Sequence, residues 1–146
     1  MTDDEQRRHL DAAAGLRQGA MRLTRRMRAV RSPGALSGNK LGVLSHLFRQ
    51  GPSTASEVVA AEHQQPQSLT RVFAELEADG LISRERDERD RRQHILVLTG
   101  QGRAALTRDV GERDAWLASA MAGLSETERE VLYLAGKLMD QLADTN

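Results

Sequence analysis

The chain is 146 residues long, with 39% hydrophobic, 29% charged and 3% aromatic residues and a formal net charge of zero at pH 7. This length allows one domain, or one domain with an extension, and no apolar run approaches the roughly 18 residues that a membrane-spanning helix needs. Because the sequence contains no cysteine, disulfides, thiol redox sensing and cysteine-rich zinc sites are excluded.

The first predicted element is one long helix over residues 4–30. The chain starts with MTDDEQRRHLD, a polar and acidic run unlike a secretory signal, so we expect a soluble, cytoplasmic protein. Seven apolar residues recur at steps of three and four and form a single stripe: Leu10, Ala13, Leu16, Ala20, Leu23, Met27 and Val30. A narrow stripe on so long a helix usually packs along another long helix. Between Arg17 and Arg31 there are six arginines and no acid, which gives a local basic field within a neutral chain.

Two short helices are predicted next. Ser37 can cap the first, which runs to about residue 49 with an apolar face of Leu41, Leu44, Leu47 and Phe48. Thr54 and Glu57 have the spacing of a capping box, in which each side chain satisfies an unpaired amide at the helix start. They begin a helix over residues 55–62.

A third short helix is predicted to begin at Pro66, since proline has no amide to lose at a first helical position, and to stop at Gly80. Its buried face consists of Leu69, Val72, Phe73 and Leu76, and its opposite face presents Gln67, Ser68, Thr70 and Arg71. Gln can pair with an adenine edge, Arg with guanine or a phosphate, and Ser or Thr with either. Because the N-terminal half of a recognition helix meets base edges, this face is a candidate for DNA recognition. The competing interpretation is an ordinary solvated helix face.

Two strand-like runs, residues 81–86 and 94–98, predict a hairpin with a highly charged loop. Five arginines are interleaved with four acids between Arg84 and Arg92, whereas hairpin tips usually carry Gly or Asn. Asp90 lies two residues before Arg92 and is placed to hold that guanidinium extended. An arginine at the tip suits the narrow, negative minor groove of A·T-rich DNA. The competing interpretation is a surface hairpin with internal salt bridges.

Two further helices are predicted, over residues 103–122 and from a capping box at Ser125 and Glu128 onward. Gly111 argues against the first of them, because glycine is unfavourable inside a helix. The terminal helices carry more apolar surface than one small domain can cover, and burial against a second copy is the simplest solution. We therefore expect a homodimer, with dimerisation helices in residues 1–36 and 103–146 and a DNA-binding domain in residues 37–102.

These segments together resemble the MarR/SlyA family of winged helix-turn-helix transcriptional regulators. The resemblance rests on the helix PQSLTR, the segment LEADGLI, the wing DRR and the strand ILVLT, and it covers nearly the whole chain. Its most specific part is the wing, where Asp87, Arg89 and Arg92 match the family's Asp-x-Arg-x-x-Arg pattern. The implied fold is mainly α, with a β wing and long N- and C-terminal dimerisation helices.

The resemblance also implies a function. Such proteins are homodimers that bind double-stranded DNA at pseudo-palindromic operators, often as repressors, and many are released by a small phenolic or other amphipathic ligand. It places base-proximal contacts at Gln67, Ser68 and Arg71, and a minor-groove arginine at Arg92 that Asp90 orients. The full predicted DNA-binding set is Gln67, Ser68, Thr70, Arg71, Arg89, Asp90, Arg91 and Arg92.

A constitutive DNA-binding or architectural dimer that senses no ligand is the alternative function. It would use the same helix and wing. An apolar, partly basic cavity where the first long helix meets the DNA-binding lobe, around Met21, Arg22 and Arg25, would favour the ligand-responsive function.

Nothing in the sequence predicts catalysis, a metal site or a cofactor. It has no phosphate-binding loop, no nucleophile elbow and no pair of carboxylates on one buried face. The four histidines, His9, His46, His63 and His94, lie in four different elements, and none has a partner at helical ligand spacing. We expect them to be isolated surface or half-buried residues.

Overall fold

The computed structural model describes residues 1–145, which form six helices and three short strands. In chain order these are α1 (Asp3–Ala29), α2 (Gly38–Gln50), β1 (Ser53–Thr54), α3 (Ala55–Glu62), α4 (Pro66–Ala78), β2 (Ile82–Arg86), β3 (His94–Leu98), α5 (Gly100–Met121) and α6 (Glu126–Ala143). The predicted order of helices and hairpin is confirmed. Two details differ from the sequence analysis: α5 begins three residues early, and β1 was not predicted. The predicted continuation of this helix through Gly111 is confirmed.

Side-chain caps fix several helix starts at the residues that the sequence indicated, although at α3 only the Thr54 half of the predicted capping box is present. The Ser37 hydroxyl accepts from the Lys40 amide at 3.3 Å, and Thr54 accepts from the Glu57 amide at 3.2 Å. At α6 the box is reciprocal, because Ser125 accepts from the Glu128 amide and the Glu128 carboxylate accepts from the Ser125 amide. Each such cap satisfies an amide that the helix itself cannot pair.

The three strands form an antiparallel sheet in the order β1-β3-β2. The hairpin register pairs Ile82 with Leu98 at its base and Arg86 with His94 at its outer end. On the other side of β3, Ser53 pairs with Leu96. The hairpin therefore projects its charged loop away from the end that packs on the helices.

One hydrophobic core joins α2, α3 and α4 to the sheet and the start of α5. Its buried members are Val43, Leu44, Leu47, Val58, Leu69, Val72, Phe73, Leu76, Ile82, Leu96 and Leu106. The prediction that Phe48 belongs to the buried face of α2 is wrong: its side chain is 51% exposed, and Val43 is buried instead. The Arg103 guanidinium lies over the Phe48 ring, 5.1 Å from its centroid.

The turn after α4 fixes how the recognition helix joins the wing. Gly80 has a φ of +75°, and the amides of Gly80 and Leu81 donate to the carbonyls of Glu77 and Leu76 at 3.0 and 2.9 Å, which is the Schellman pattern. The first turn of α5 packs against this turn. A Cβ on Gly102 would lie 2.0 Å from the Leu81 carbonyl oxygen, so only glycine allows that approach.

The chain divides into two compact units: a terminal unit, formed by Met1–Val30 with the residues from Arg113 onward, and a middle unit, formed by Arg31–Glu112. The sequence analysis placed the boundaries at 36/37 and 102/103. Residues 31–36 belong to the middle unit because they are bonded to α5: the Leu36 amide donates to Asp109 at 2.8 Å, and the Ser32 hydroxyl donates to Glu112 at 3.0 Å. Within residues 1–145, no helix combines the length and apolarity needed to cross a membrane.

Candidate DNA-binding surface

Helix α4 lies on the core with one face and exposes the other. Its buried residues are the four that the sequence predicted: Leu69, Val72, Phe73 and Leu76. The four candidate contact residues, Gln67, Ser68, Thr70 and Arg71, are all exposed. Pro66 occupies the first turn, and no side chain caps this end of the helix. The N-terminal half of α4 is therefore open to a ligand along its polar face.

The four side chains on that face are not equally available. The Thr70 hydroxyl donates to the Pro66 carbonyl at 2.9 Å, so its oxygen can only accept a further hydrogen bond. Gln67 and Ser68 make no side-chain hydrogen bond to any part of the chain between residues 1 and 145. Their donors and acceptors remain free for a base edge.

Arg71 belongs to a short chain of charges. Its Nε lies 3.1 Å from Glu75 Oε1, one helical turn along α4. The other oxygen of Glu75 lies 3.3 Å from Lys40 Nζ at the start of α2, and Lys40 also approaches Asp79 at 3.8 Å. Hydrogen bonds from Lys40 and then Arg71 lower the pKa of Glu75 below its usual value. The Arg71 side chain is nevertheless 85% exposed.

The wing loop is organised by its two aspartates. Asp87 accepts from the Arg89 amide at 2.9 Å. Asp90 uses both oxygens, accepting from the Arg92 amide at 3.1 Å and from Gln93 Nε2 at 3.3 Å. The loop closes through backbone bonds that join Asp87 to Gln93 and Gln93 to Asp90, each 3.0 Å long. The acids of the wing therefore shape the loop as well as offset its arginines.

Four of the five wing arginines fall into two sets, and the fifth, Arg86, is exposed at the end of β2. Arg84 is bound to Glu77 of α4 at 2.8 Å and contributes to the junction between helix and hairpin. Arg89, Arg91 and Arg92 are exposed at the tip. The predicted proximity of Asp90 and Arg92 is present, with Nε 3.9 Å from Oδ1, but the Arg92 side chain is 95% exposed. It is therefore free to reach a groove beside the tip.

The middle unit contains a cavity of about 640 Å³ that sequence reasoning missed. Its wall combines the apolar Leu36, Leu81 and Ala105 with charged side chains that include Lys40 and Asp109. Asp109 is only 5% exposed. Nothing local in the sequence signals this cavity, because it forms between segments about 70 residues apart in the chain.

The sequence analysis suggested an apolar, partly basic cavity around Met21, Arg22 and Arg25. In the structure, Arg22 and Arg25 line a groove. This groove lies in the terminal unit and is also lined by Leu23, Arg26 and Trp116, among others. Met21 is not part of its lining. This groove is basic as expected, and its aromatic wall comes from α5.

One histidine departs from the expectation that all four are isolated. His46 is 7% exposed, and its Nε2 lies 3.2 Å from the Ser53 hydroxyl, which donates in turn to the Gly51 carbonyl. It links α2 to β1 as part of the core. Among residues 1–145 no three His, Cys, Asp or Glu side chains are grouped closely enough to hold a metal ion.

The chain is similar to several known proteins over most of its length. The family model described as "MarR family" matches residues 36–94, which contain α2 to the start of β3. An HTH-type transcriptional regulator of Mycobacterium tuberculosis is 31% identical over 132 residues, covering 90% of this chain and 92% of that protein.

Two solved structures extend the similarity over almost the whole chain. A putative transcriptional regulator of Pseudomonas aeruginosa is 35% identical, with all of both chains covered and a TM-score of 0.77. BpsR of Bordetella bronchiseptica, whose DNA binding is regulated by 6-hydroxynicotinic acid, is 26% identical with a TM-score of 0.68; the alignment covers 88% of this chain and 98% of BpsR.

Proposed function

Since this chain belongs to the MarR family, and is therefore a DNA-binding transcriptional regulator and not an enzyme, we propose that it acts as a cytoplasmic homodimeric repressor. In this proposal the dimer binds pseudo-palindromic operators and is released by a small amphipathic ligand. Bound over a promoter, such a dimer blocks transcription by occupying the DNA. Each part of the proposal has its own support in the molecule.

The observation that carries the DNA-binding site is the exposure, on one compact unit, of the polar face of α4 and the arginines of the wing tip. Gln67 and Ser68 are free to bond base edges in the major groove, and Arg71 has the chemistry to pair with guanine. Thr70 can accept only, which suits a base amino group. Arg92 enters the adjacent minor groove, with Asp90 shaping its loop and Arg89 and Arg91 binding phosphates.

The terminal helices support a homodimer. Neither α1 nor α6 has a buried residue within the chain, although both carry an apolar stripe. The large apolar side chains exposed on these two helices are Leu10, Leu16, Met21, Leu23, Val131, Leu132, Tyr133, Leu134, Leu138, Met139 and Leu142. An apolar surface of this extent is rare on a monomer. A second copy, related by a two-fold axis, offers the same stripe for burial.

The cavity of the middle unit supports a small effector. Its wall places apolar groups beside three cations, Arg31, Lys40 and Arg108, and three acids, Asp79, Asp109 and Glu112. Apolar surface with both charges suits an amphipathic ligand that combines a carboxylate with a hydrogen-bond donor, such as a hydroxylated aromatic carboxylate. BpsR, a structural relative, is regulated by a ligand of this chemical class. The same cavity lies beside Lys40, which reaches the recognition helix through Glu75.

Selection of bound DNA from a random pool, repeated with and without aromatic carboxylates, tests the whole proposal. We expect enrichment of one inverted repeat, and loss of binding when an effective ligand is added. Enrichment of the repeat with affinity unchanged by every ligand would instead support the constitutive dimer. Failure to enrich any sequence would contradict site-specific binding.

A further inference from the structure

Two cations on different helices share the carboxylate of Glu75. Arg71 Nε binds one oxygen at 3.1 Å, and Lys40 Nζ binds the other at 3.3 Å. Exposure rises along this chain of side chains, from 23% at Lys40 through 42% at Glu75 to 85% at Arg71. This row of three side chains therefore runs from the half-buried Lys40 to the exposed Arg71, the residue proposed to contact a base.

Glu75 contacts Arg71 through Nε, so the terminal nitrogens that would recognise a base are not used by this contact. A guanidinium has five N–H donors in a rigid fork. With Nε bound to Glu75, the two terminal nitrogens remain free to make a bidentate contact with guanine O6 and N7. A carboxylate in this position restricts the rotation of a long side chain before DNA arrives, which lowers the entropy lost on binding.

We propose that Glu75 is the positioning residue for Arg71, and that Lys40 anchors Glu75 and so joins the cavity to the base-reading side chain. This inference rests on the proposed function, since it assigns a specificity role within the same DNA-binding site. Glu75 does not contact DNA itself; it acts through Arg71.

Lys40 is well placed as the fixed end of this row of side chains. It lies in the first turn of α2, where its own amide donates to the capping hydroxyl of Ser37. Asp79 provides a second, longer contact at 3.8 Å. The lysine also offsets the charge of Glu75, which would otherwise repel the phosphates of bound DNA. Both cations favour the ionised carboxylate, and their hydrogen bonds, that of Lys40 first, lower the pKa of Glu75 below its usual value.

Lys40 and Asp79 also line the cavity. An anion bound there attracts the same ammonium group that anchors Glu75. Once Lys40 turns to the ligand, Glu75 loses its anchor and its neutralising charge. Arg71 is then less well positioned, and phosphate repulsion at the helix increases. A cavity ligand therefore acts on sequence recognition first, through three side chains.

Glu75→Gln tests the positioning role, with Glu77→Gln as a matched control. Glu77 lies on the same helix and is bound to Arg84, so its replacement changes the charge equally without touching Arg71. The measurement is the ratio of affinities for the selected operator and for the operator altered at the base pair that depends on Arg71. We expect Glu75→Gln to lower this ratio about two- to fivefold, the scale of an exposed ion pair, and Glu77→Gln to leave it unchanged.

A double-variant cycle with Arg71→Ala separates positioning from a general charge effect. If Glu75 acts through Arg71, Glu75→Gln has no further effect on the ratio once Arg71 is alanine. An equal effect in both backgrounds, or the same effect from Glu77→Gln, would overturn the inference while leaving the proposed function in place. A wild-type protein with no sequence preference would instead contradict the proposed function.

Lys40→Met tests whether Lys40 anchors Glu75, because methionine keeps the apolar stem and removes the charge. We expect it to lower the ratio in the wild-type background and to have no effect on the ratio in Glu75→Gln. An effect of Lys40→Met on the ratio that persists in Glu75→Gln would show that Lys40 acts independently, and would refute its role as the anchor.

Discussion

Asp90 has two separable roles at the wing tip. Its oxygens accept from the Arg92 amide and the Gln93 side chain and so define the loop. Its contact with the Arg92 guanidinium is longer, at 3.9 Å, and almost fully exposed on the arginine side. Exposed pairs of this kind contribute little. Asp90 therefore positions Arg92 mainly through the backbone, and its charge is a secondary factor.

Arg92→Ala is expected to weaken DNA binding most where the operator flank is A·T-rich, because a narrow minor groove concentrates negative potential. The slope of log affinity against log salt should fall by about one counterion per wing. Titrations at several salt concentrations on A·T-rich and G·C-rich flanks measure both effects. Equal affinity of Arg92→Ala and wild type on every flank would show that the loop is only a solvated hairpin.

Asp90 variants distinguish loop shape from charge. Asp90→Asn keeps an acceptor for the Arg92 amide and removes a negative charge near phosphate, so it should bind all DNA slightly more tightly and keep the A·T preference. Asp90→Ala removes the acceptors as well and should reduce that preference. The same flank titrations provide the measurement. Loss of the preference in both variants would assign the orienting role to the charge.

Arg71→Ala is expected to cost about 1–3 kcal/mol of binding free energy on the preferred operator and to relax preference at one base pair per half-site. The physical reason is the loss of a bidentate contact to guanine. Binding to the operator and to random DNA should be measured in parallel by fluorescence anisotropy. An equal loss on both would assign Arg71 to a phosphate.

At the scale of elements, what the sequence predicts depends on how local the interaction is. The cap of α3 at Thr54 and the stop of α4 at Gly80 are local, and both were predicted. The strand β1 has only two residues and pairs with β3 some 40 positions away, so no periodicity announces it. Likewise Arg71 and Glu75 have helical spacing, whereas the second partner of Glu75 is Lys40, which only the tertiary fold brings near.

The junction between α5 and the α4–β2 turn gives a prediction about stability. Gly102→Ala would place a methyl group 2.0 Å from the Leu81 carbonyl oxygen, and a backbone atom cannot move away cheaply. We expect a loss of about 1–3 kcal/mol in the free energy of unfolding. Gly111→Ala is the control: it lies in the same helix with nothing within 4 Å of its added Cβ, and should stabilise by up to about 1 kcal/mol.

Urea unfolding followed by circular dichroism measures both variants. Gly102→Ala should also weaken DNA binding, because the displaced turn joins the recognition helix to the wing. Two variants with the same stability would contradict the close packing of α5 against that turn.

For the molecule as a whole, the zero net charge conceals a marked division. Residues 12–56 contain seven arginines and one lysine and no acid, a net charge of +8; the remainder has 21 − 8 = 13 basic and 21 acidic residues, a net charge of −8. A nucleic-acid-binding domain is usually basic overall. The proposed contacts on α4 and the wing lie outside residues 12–56, and the field at that surface is set by its own arginines. The total charge therefore does not argue against DNA binding.

The apolar side chains of α1 and α6 face solvent in the single chain, including Leu10 at 64% and Leu138 at 47% exposure. If a second copy covers them, the protein should sediment at twice 16.1 kDa. Leu138→Glu would put a charge into that interface at a side chain that is already 47% exposed, on a helix with no buried residue. We expect this variant to sediment as a monomer and to lose affinity for the inverted repeat far more than for a single half-site.

Phe48→Glu is the matched control, because Phe48 is similarly exposed on the middle unit and lies beside Arg103, which can pair with the new carboxylate. It should remain a dimer. Analytical ultracentrifugation at micromolar concentration, with circular dichroism to check the helices, measures both outcomes. A wild-type protein found only at 16.1 kDa would refute the homodimer, and would leave the apolar stripes of α1 and α6 to a partner of a different kind.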